Sequence, residues 1–247
     1  MGGVYLEQTT RYKKTLFLRA GVRSGWQWVH SPEDSESDTA EVNGHSLPLA
    51  GHGGVEWRIT PRIHLLATFD HSHRTPNIND LTARQQTGPG FQFENPNLSA
   101  EKSNTIELGT RLHWDFARLD LFGFYTQLKD AIVKSPQSIE NCPDAADGCA
   151  TSWSHLQLVN TDGLSTVYGA EASLIGRTKI GLDFRATVSY AFGESPDILD
   201  SEQMVPISRI PPLNGTAEVH YRFFQNWKVG SALRWAMAQV WYQAWRM

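Results

Sequence analysis

The chain holds two cysteines, and both fall in one stretch, Cys142-Pro143-Asp144-Ala145-Ala146-Asp147-Gly148-Cys149. An even number at close spacing reads as a local disulfide between Cys142 and Cys149, which requires an oxidising compartment. The rival chemistry is a metal clip with Asp144 and Asp147 as oxygen ligands, although loop aspartates are more commonly turn formers. A second candidate is His71-Ser72-His73, whose imidazoles share one face of an extended segment, so that one could ligate iron; the plainer reading is polar surface. Glu107 with Arg111, and Glu171 with Arg185, could pair across a wet face. No Ser, His and Asp arrangement stands out for nucleophilic catalysis. No enzyme chemistry, resident metal or cofactor is therefore expected.

The elements that must position these residues are strands, because side-chain parity alternates through segment after segment. Ile180, Leu182, Phe184, Ala186, Val188, Tyr190 and Phe192 share one face, opposite Gly181, Asp183, Arg185, Thr187 and Ser189. Ile106, Leu108, Leu112 and Trp114 oppose Glu107, Gly109, Arg111 and His113, and Ala117, Leu119, Leu121 and Tyr125 oppose Arg118, Asp120 and Thr126. The same alternation runs through 16–28, 63–69, 217–223 and 227–235, and more weakly through 4–11 and 153–161. These predicted strands run roughly 9 to 16 residues, against a mode of about 5 or 6 in globular sheets. A tilted membrane-spanning strand needs about 9 to 11 residues.

The connections alternate in length. Short ones fall near 12–14, 60–61, 115–116, 177–178 and 225–226, long ones near 30–45, 76–102, 135–153 and 194–208. Antiparallel neighbours turn on opposite sides of a sheet, so the short turns gather on one side and the long loops on the other. The pattern predicts an all-β chain, a partial antiparallel transmembrane β-barrel of about eleven strands with short periplasmic turns and long extracellular loops. Trp26, Trp28, Trp57, Trp114, Tyr168, Tyr190, Phe223, Trp227 and Trp235 stand near the ends of apolar stripes, where an interfacial girdle would put them. Lysine is scarce within the strands, unlike a solvated sheet face. The competing architecture is a soluble all-β binding module, a carbohydrate-recognising sandwich without any transport role.

Composition excludes other classes. With 22 Lys+Arg against 26 Asp+Glu, a net charge of -4 and no basic block, nothing marks a nucleic-acid partner. At 40% hydrophobic and 19% charged the chain is too apolar for disorder. No run of about 18 apolar residues could cross a bilayer as a helix. Met1-Gly2-Gly3-Val4 does not open a secretory signal.

Several boxes resemble the C-terminal barrel region of TonB-dependent outer-membrane receptors. Arg74-Thr75-Pro76-Asn77-Ile78-Asn79-Asp80-Leu81 looks like that family's "FRAPN..DL" box. Asn95-Pro96-Asn97-Leu98-Ser99-Ala100-Glu101-Lys102 looks like "NP.L..E", and Glu107-Leu108-Gly109 like "ELG". Tyr125 to Val133 resembles a strand ending in Asp-x-Ile-Val, Asn160 to Glu171 resembles "N......YG.E", and Arg209-Ile210-Pro211-Pro212 resembles "RIPP". Val4 to Gln8 through Gly21 to Arg23 resembles an earlier strand pair, so the likeness spans nearly all 247 residues.

The resemblance implies a bacterial outer-membrane location and energised uptake of a scarce nutrient such as a ferric siderophore, haem or cobalamin. The implied partners are outer-membrane lipid, a small iron chelate or similar ligand, and the TonB complex acting through a plug domain. Candidate ligand-loop residues are His71, His73, Arg74, Asn77, Asn95 and Asn97, with loop anchoring as their plainer role. The haem receptors in that family carry a histidine between the first two boxes; Asn77 to Glu94 contains none. Family barrels have about 22 strands. Residues 1–247 therefore read as one incomplete barrel domain lacking the plug and, given the end at Trp241 to Met247, the final strands.

Overall fold

A computed structural model describes residues 1–33, 41–88, 90–143, 149, 154–224 and 227–238. In chain order the elements are β1 (Gly2–Tyr12), β2 (Leu16–Ser31), β3 (Val42–Ser46), β4 (Leu49–Arg58), β5 (Ile63–Arg74), α1 (Ile78–Thr82), β6 (Gln85–Thr87), β7 (Gly90–Phe93), β8 (Glu101–His113) and β9 (Ala117–Lys129). There follow β10 (Ile132–Gln137), β11 (His155–Asn160), β12 (Leu164–Arg177), β13 (Leu182–Pro196), β14 (Met204–Pro206), β15 (Asn214–Phe224) and β16 (Trp227–Ala236).

Ten of these form a continuous wall in the order β1-β2-β4-β5-β8-β9-β12-β13-β15-β16. Each pairs antiparallel with its neighbour, while β3 extends β2 and β14 extends β13 at the long-loop end. Local chemistry explains the tight turns. Gly181 has φ +87, and a Cβ there would sit 2.6 Å from the Arg222 carbonyl oxygen, so only glycine closes that turn without strain. The turn expected at 225–226 lies outside the described residues. All long connections leave the opposite end, as the loop-length pattern predicts.

The strand expected near 153–161 is present as β11 but is not part of the wall. It belongs to a second, four-stranded sheet in the order β10-β11-β7-β6, in which β11 runs parallel to β7. With β3 paired to β2 and β14 paired to β13, the main sheet has twelve strands among the described residues, in keeping with the expected number of about eleven, while β10 and β11 pair with each other and with the 85–93 segment instead of joining β9 and β12.

The register carries single side-chain faces across the wall. Ala67, Leu108, Gly123, Ala170 and Tyr190 align in one cross-strand row, and Phe69, Ile106, Tyr125, Tyr168 and Phe192 in the next row toward the loops. These apolar rows are exposed: Leu108 is 61% and Ile106 49% accessible. The buried hydrophobic side chains lie elsewhere, at Val42, Leu81, Phe91, Phe93, Ala131, Cys142 and Leu156, none of them in a wall strand. The sheet thus exposes its apolar face and keeps its small core in its loops, the arrangement opposite to that of a soluble sandwich.

The opposite face is polar and internally paired. Arg111 Nε donates to Asp120 Oδ1 at 2.8 Å, Arg118 meets the other oxygen at 3.0 Å, and Arg19 meets Glu7 at 2.7 Å. Threonine pairs bridge strands at Thr105–Thr126 and Thr187–Thr216, at 2.9 and 2.7 Å. Arg111 thus pairs with Asp120 rather than Glu107, and Glu171 is met by the Ser189 hydroxyl at 3.3 Å. Gly169 permits a close approach beside Tyr168: a Cβ would stand 2.3 Å from the Tyr190 carbonyl oxygen.

Candidate functional site

The loop-side rim is organised around Arg74, the last residue of β5. Its side chain lies on the polar face, in register with Glu101 of β8. The guanidinium donates from Nε to Glu101 Oε2 at 2.5 Å and from Nη1 to Asp80 Oδ2 at 2.7 Å. Asp80 is also half of a capping box: it accepts from the Asn77 backbone N–H at 3.0 Å, while Asn77 Oδ1 accepts from the Asp80 N–H at 3.0 Å. The second oxygen of Glu101 accepts from the Ile132 N–H at 2.7 Å, at the start of β10. One planar fork therefore ties together the end of β5, the N-terminus of α1, the start of β8 and the entry to the second sheet. Thr75 and Pro76 add a clamp onto Gln27 of β2.

Asn95 and Asn97 form a second buckle. Asn95 Nδ2 donates to the Leu158 carbonyl at 2.8 Å, and Asn95 Oδ1 accepts from the Asn97 N–H at 3.0 Å. Asn160 completes it, accepting from the Ser99 N–H at 2.8 Å and donating to the Ser99 and Asp130 carbonyls at 3.0 and 2.7 Å. Arg84 and Glu94 pair within the same segment. Arg74, Asn77, Asn95 and Asn97 are thus engaged as anchors of the loop assembly. Asp80, Glu101 and Asn160 carry as much of that assembly but were not singled out from sequence; their signal was their place inside the same boxes.

The cysteines meet as a disulfide, with Cα atoms 5.9 Å apart. Cys142 packs with Phe91 and Phe93 of β7, and Cys149 lies against the same cluster. Asp144 and Asp147, the oxygen ligands of the alternative metal clip, lie outside the described residues. Among the described residues no group of three or more His, Cys, Asp or Glu side chains is arranged to hold a metal ion.

His71 and His73 share a face, as their spacing predicts, and it is the apolar one: His71 aligns with Asn104 and follows Phe69. His71 Nδ1 lies 2.8 Å from Asn104 Oδ1, and the two imidazole centroids are 6.5 Å apart. The two histidines therefore stand on the opposite side of the wall from Arg74. A concavity across β1, β2, β4 and β5 is lined by Tyr5, Glu7, Arg23, His52, Asp70 and Ser72 of the polar face, and is bordered also by Leu6, Val22 and His71. His52 Nε2 approaches Glu7 Oε2 at 3.6 Å there. Four strands contribute these residues, so no short motif marks them.

Comparison with known proteins agrees with this architecture. A family model described as TonB dependent receptor-like, beta-barrel, matches residues 2–245. Hemoglobin-haptoglobin utilization protein B of Neisseria meningitidis serogroup A is 29% identical over 228 residues, covering 83% of this chain and 27% of that protein. Among solved structures, the copper transporter OprC has a TM-score of 0.75 at 19% identity, over 94% of this chain and 33% of its own. The Serratia marcescens hemophore receptor HasR, solved with its hemophore HasA and heme, has a TM-score of 0.72 at 17% identity, over 96% of this chain and 43% of its own. The chain spans well under two thirds of the length of each. The soluble-module alternative has no support from these relatives. With an exposed apolar face, a polar opposite face, loop segregation and a family match over residues 2–245, the chain belongs to the TonB-dependent receptor-like β-barrel family of the bacterial outer membrane.

Proposed function

We propose that this wall serves an outer-membrane receptor that takes up a scarce iron-bearing ligand, haem being the favoured class, by TonB-driven release through a plug domain. The observation that carries the reading is the Arg74 node, which couples the inner wall to the disulfide-stapled loop sheet. The name of the meningococcal relative favours haem over other chelates. A membrane receptor of this kind captures and passes its ligand without breaking bonds, so the reading assigns no catalytic residue. Lipid contacts the outward rows. Ligand contact falls to the polar-face groups of the concavity, Tyr5, Arg23, His52 and Asp70; His71 also borders it but its position on the strand is outward, and Arg74, Asn77, Asn95 and Asn97 hold the loops.

The test is iron-limited growth of a Gram-negative host carrying the complete receptor gene, with haemoglobin, haem or a ferric siderophore as sole iron source. Growth on haem or haemoglobin that disappears when TonB is deleted is the expected result. Growth on the siderophore alone would remove haem as the ligand, and growth independent of TonB would remove the transport mechanism. Replacing His71 and His73 together by alanine should leave growth on haem unchanged; a loss would return them to the site.

A further inference from the structure

Within the ten wall strands lysine occurs at three positions, Lys102, Lys129 and Lys228. Lys228 lies on the polar face near the turns, 3.8 Å from Asp183. Lys102 and Lys129 are different. They are direct cross-strand partners on the outward face of β8 and β9, and His73 of β5 extends the row. Like charges placed directly opposite destabilise a strand pair. Lys102 has a distant counter-charge in Asp130, at 3.8 Å, and Lys129 has no ion pair among the described residues. Both lysines are exposed.

Their height on the wall is as specific as their face. The outward row Phe69, Ile106, Tyr125, Tyr168 and Phe192 forms the loop-side aromatic border. Next comes a neutral-to-mixed row of His71, Asn104, Gln127, Thr166 and Glu194, and then the row with His73, Lys102 and Lys129. Four residues along a strand tilted by about 40° rise about 10 Å, which sets the ammonium groups level with the lipid headgroup layer or just above it. The lysine stems can bend back toward that layer.

We propose that Lys102 and Lys129, flanked by His73, form a docking site for the phosphate groups of outer-leaflet lipid. A phosphate between the two ammonium groups removes their mutual repulsion, and a compact ammonium is well suited to a phosphate oxygen. The site faces the headgroup layer rather than the lumen, so its occupant is a membrane lipid and not transported cargo. The proposal rests on the outer-membrane placement of the barrel, and the experiment separates the two.

The complete receptor that contains this chain is refolded with vesicles of phosphatidylcholine alone or phosphatidylcholine doped with lipid A, and partition is read by flotation. A basic side chain near an anionic membrane surface contributes about fivefold in partition, so replacing both lysines (Lys102→Gln with Lys129→Gln) should weaken the preference for lipid A vesicles about thirtyfold. Lys179→Gln, in a turn on the opposite side of the membrane, should retain it. A double variant that keeps the full preference overturns the site. Loss of the preference in millimolar inorganic phosphate at matched ionic strength overturns lipid as the occupant. Failure of the unaltered complete receptor to associate with either vesicle overturns the membrane placement itself.

Discussion

Arg74 shows how a loop-border motif works at the scale of a residue. A guanidinium presents parallel donors in one plane, and here two carboxylates from different elements meet it, each with a further hydrogen bond to the backbone. Lysine could supply the charge but not the fork. The node is half-exposed, so the loss on Arg74→Gln should be about 1 kcal/mol rather than that of a buried pair. The signature is local. Hydrogen exchange should accelerate at the Ile132 and Asp80 amides and stay unchanged in the turns at the far end of the wall. Arg74→Lys should fall between the two. Unchanged protection at Ile132 in the glutamine variant would show that the node is decorative. The box was visible in sequence as Arg74 through Leu81, but its partner Glu101 lies 27 positions away and became visible only through the β5–β8 register.

Among the elements, the second sheet departs most from the parity reading. Its strands β6 and β7 are short, and β7 pairs in parallel with β11, far along the chain. Parallel pairing joins segments that share no turn, so no hairpin signal announces it. The sheet is secured by Phe91, Phe93 and the Cys142–Cys149 bridge on one side and by the Asn95 and Asn160 buckles at its base. Closing a loop of this length removes about 2.5 kcal/mol of unfolded-chain entropy. Replacing both cysteines by serine should therefore loosen 90–93 and 155–160 by that order in hydrogen exchange, while the β8–β9 amides keep their protection. An equal loss in β8 and β9 would mean that the loop sheet and the wall unfold as one unit.

For the whole molecule, the decisive feature is which face of the wall is dry. Leu108→Arg places a charge in the middle of the outward face and should cost about 2 to 4 kcal/mol of folding stability in a bilayer. Glu107→Arg, one residue away on the polar face, should cost far less because its neighbours there are wet. The ratio is measurable as shifts in denaturant midpoints for bilayer-inserted protein, and equal costs would remove the lipid assignment. The alternation of polar and apolar residues, the segregation of short turns from long loops and the border boxes were all written in the sequence, because each depends on residues a few positions apart. Only the tertiary structure decided that Arg74 takes Glu101 and Asp80 together, that Arg111 takes Asp120 as its partner, and that β11 leaves the wall for a sheet of its own. Those outcomes depend on register and on pairing between distant segments, and a period of two residues is the same whichever face meets lipid and whichever strand lies alongside.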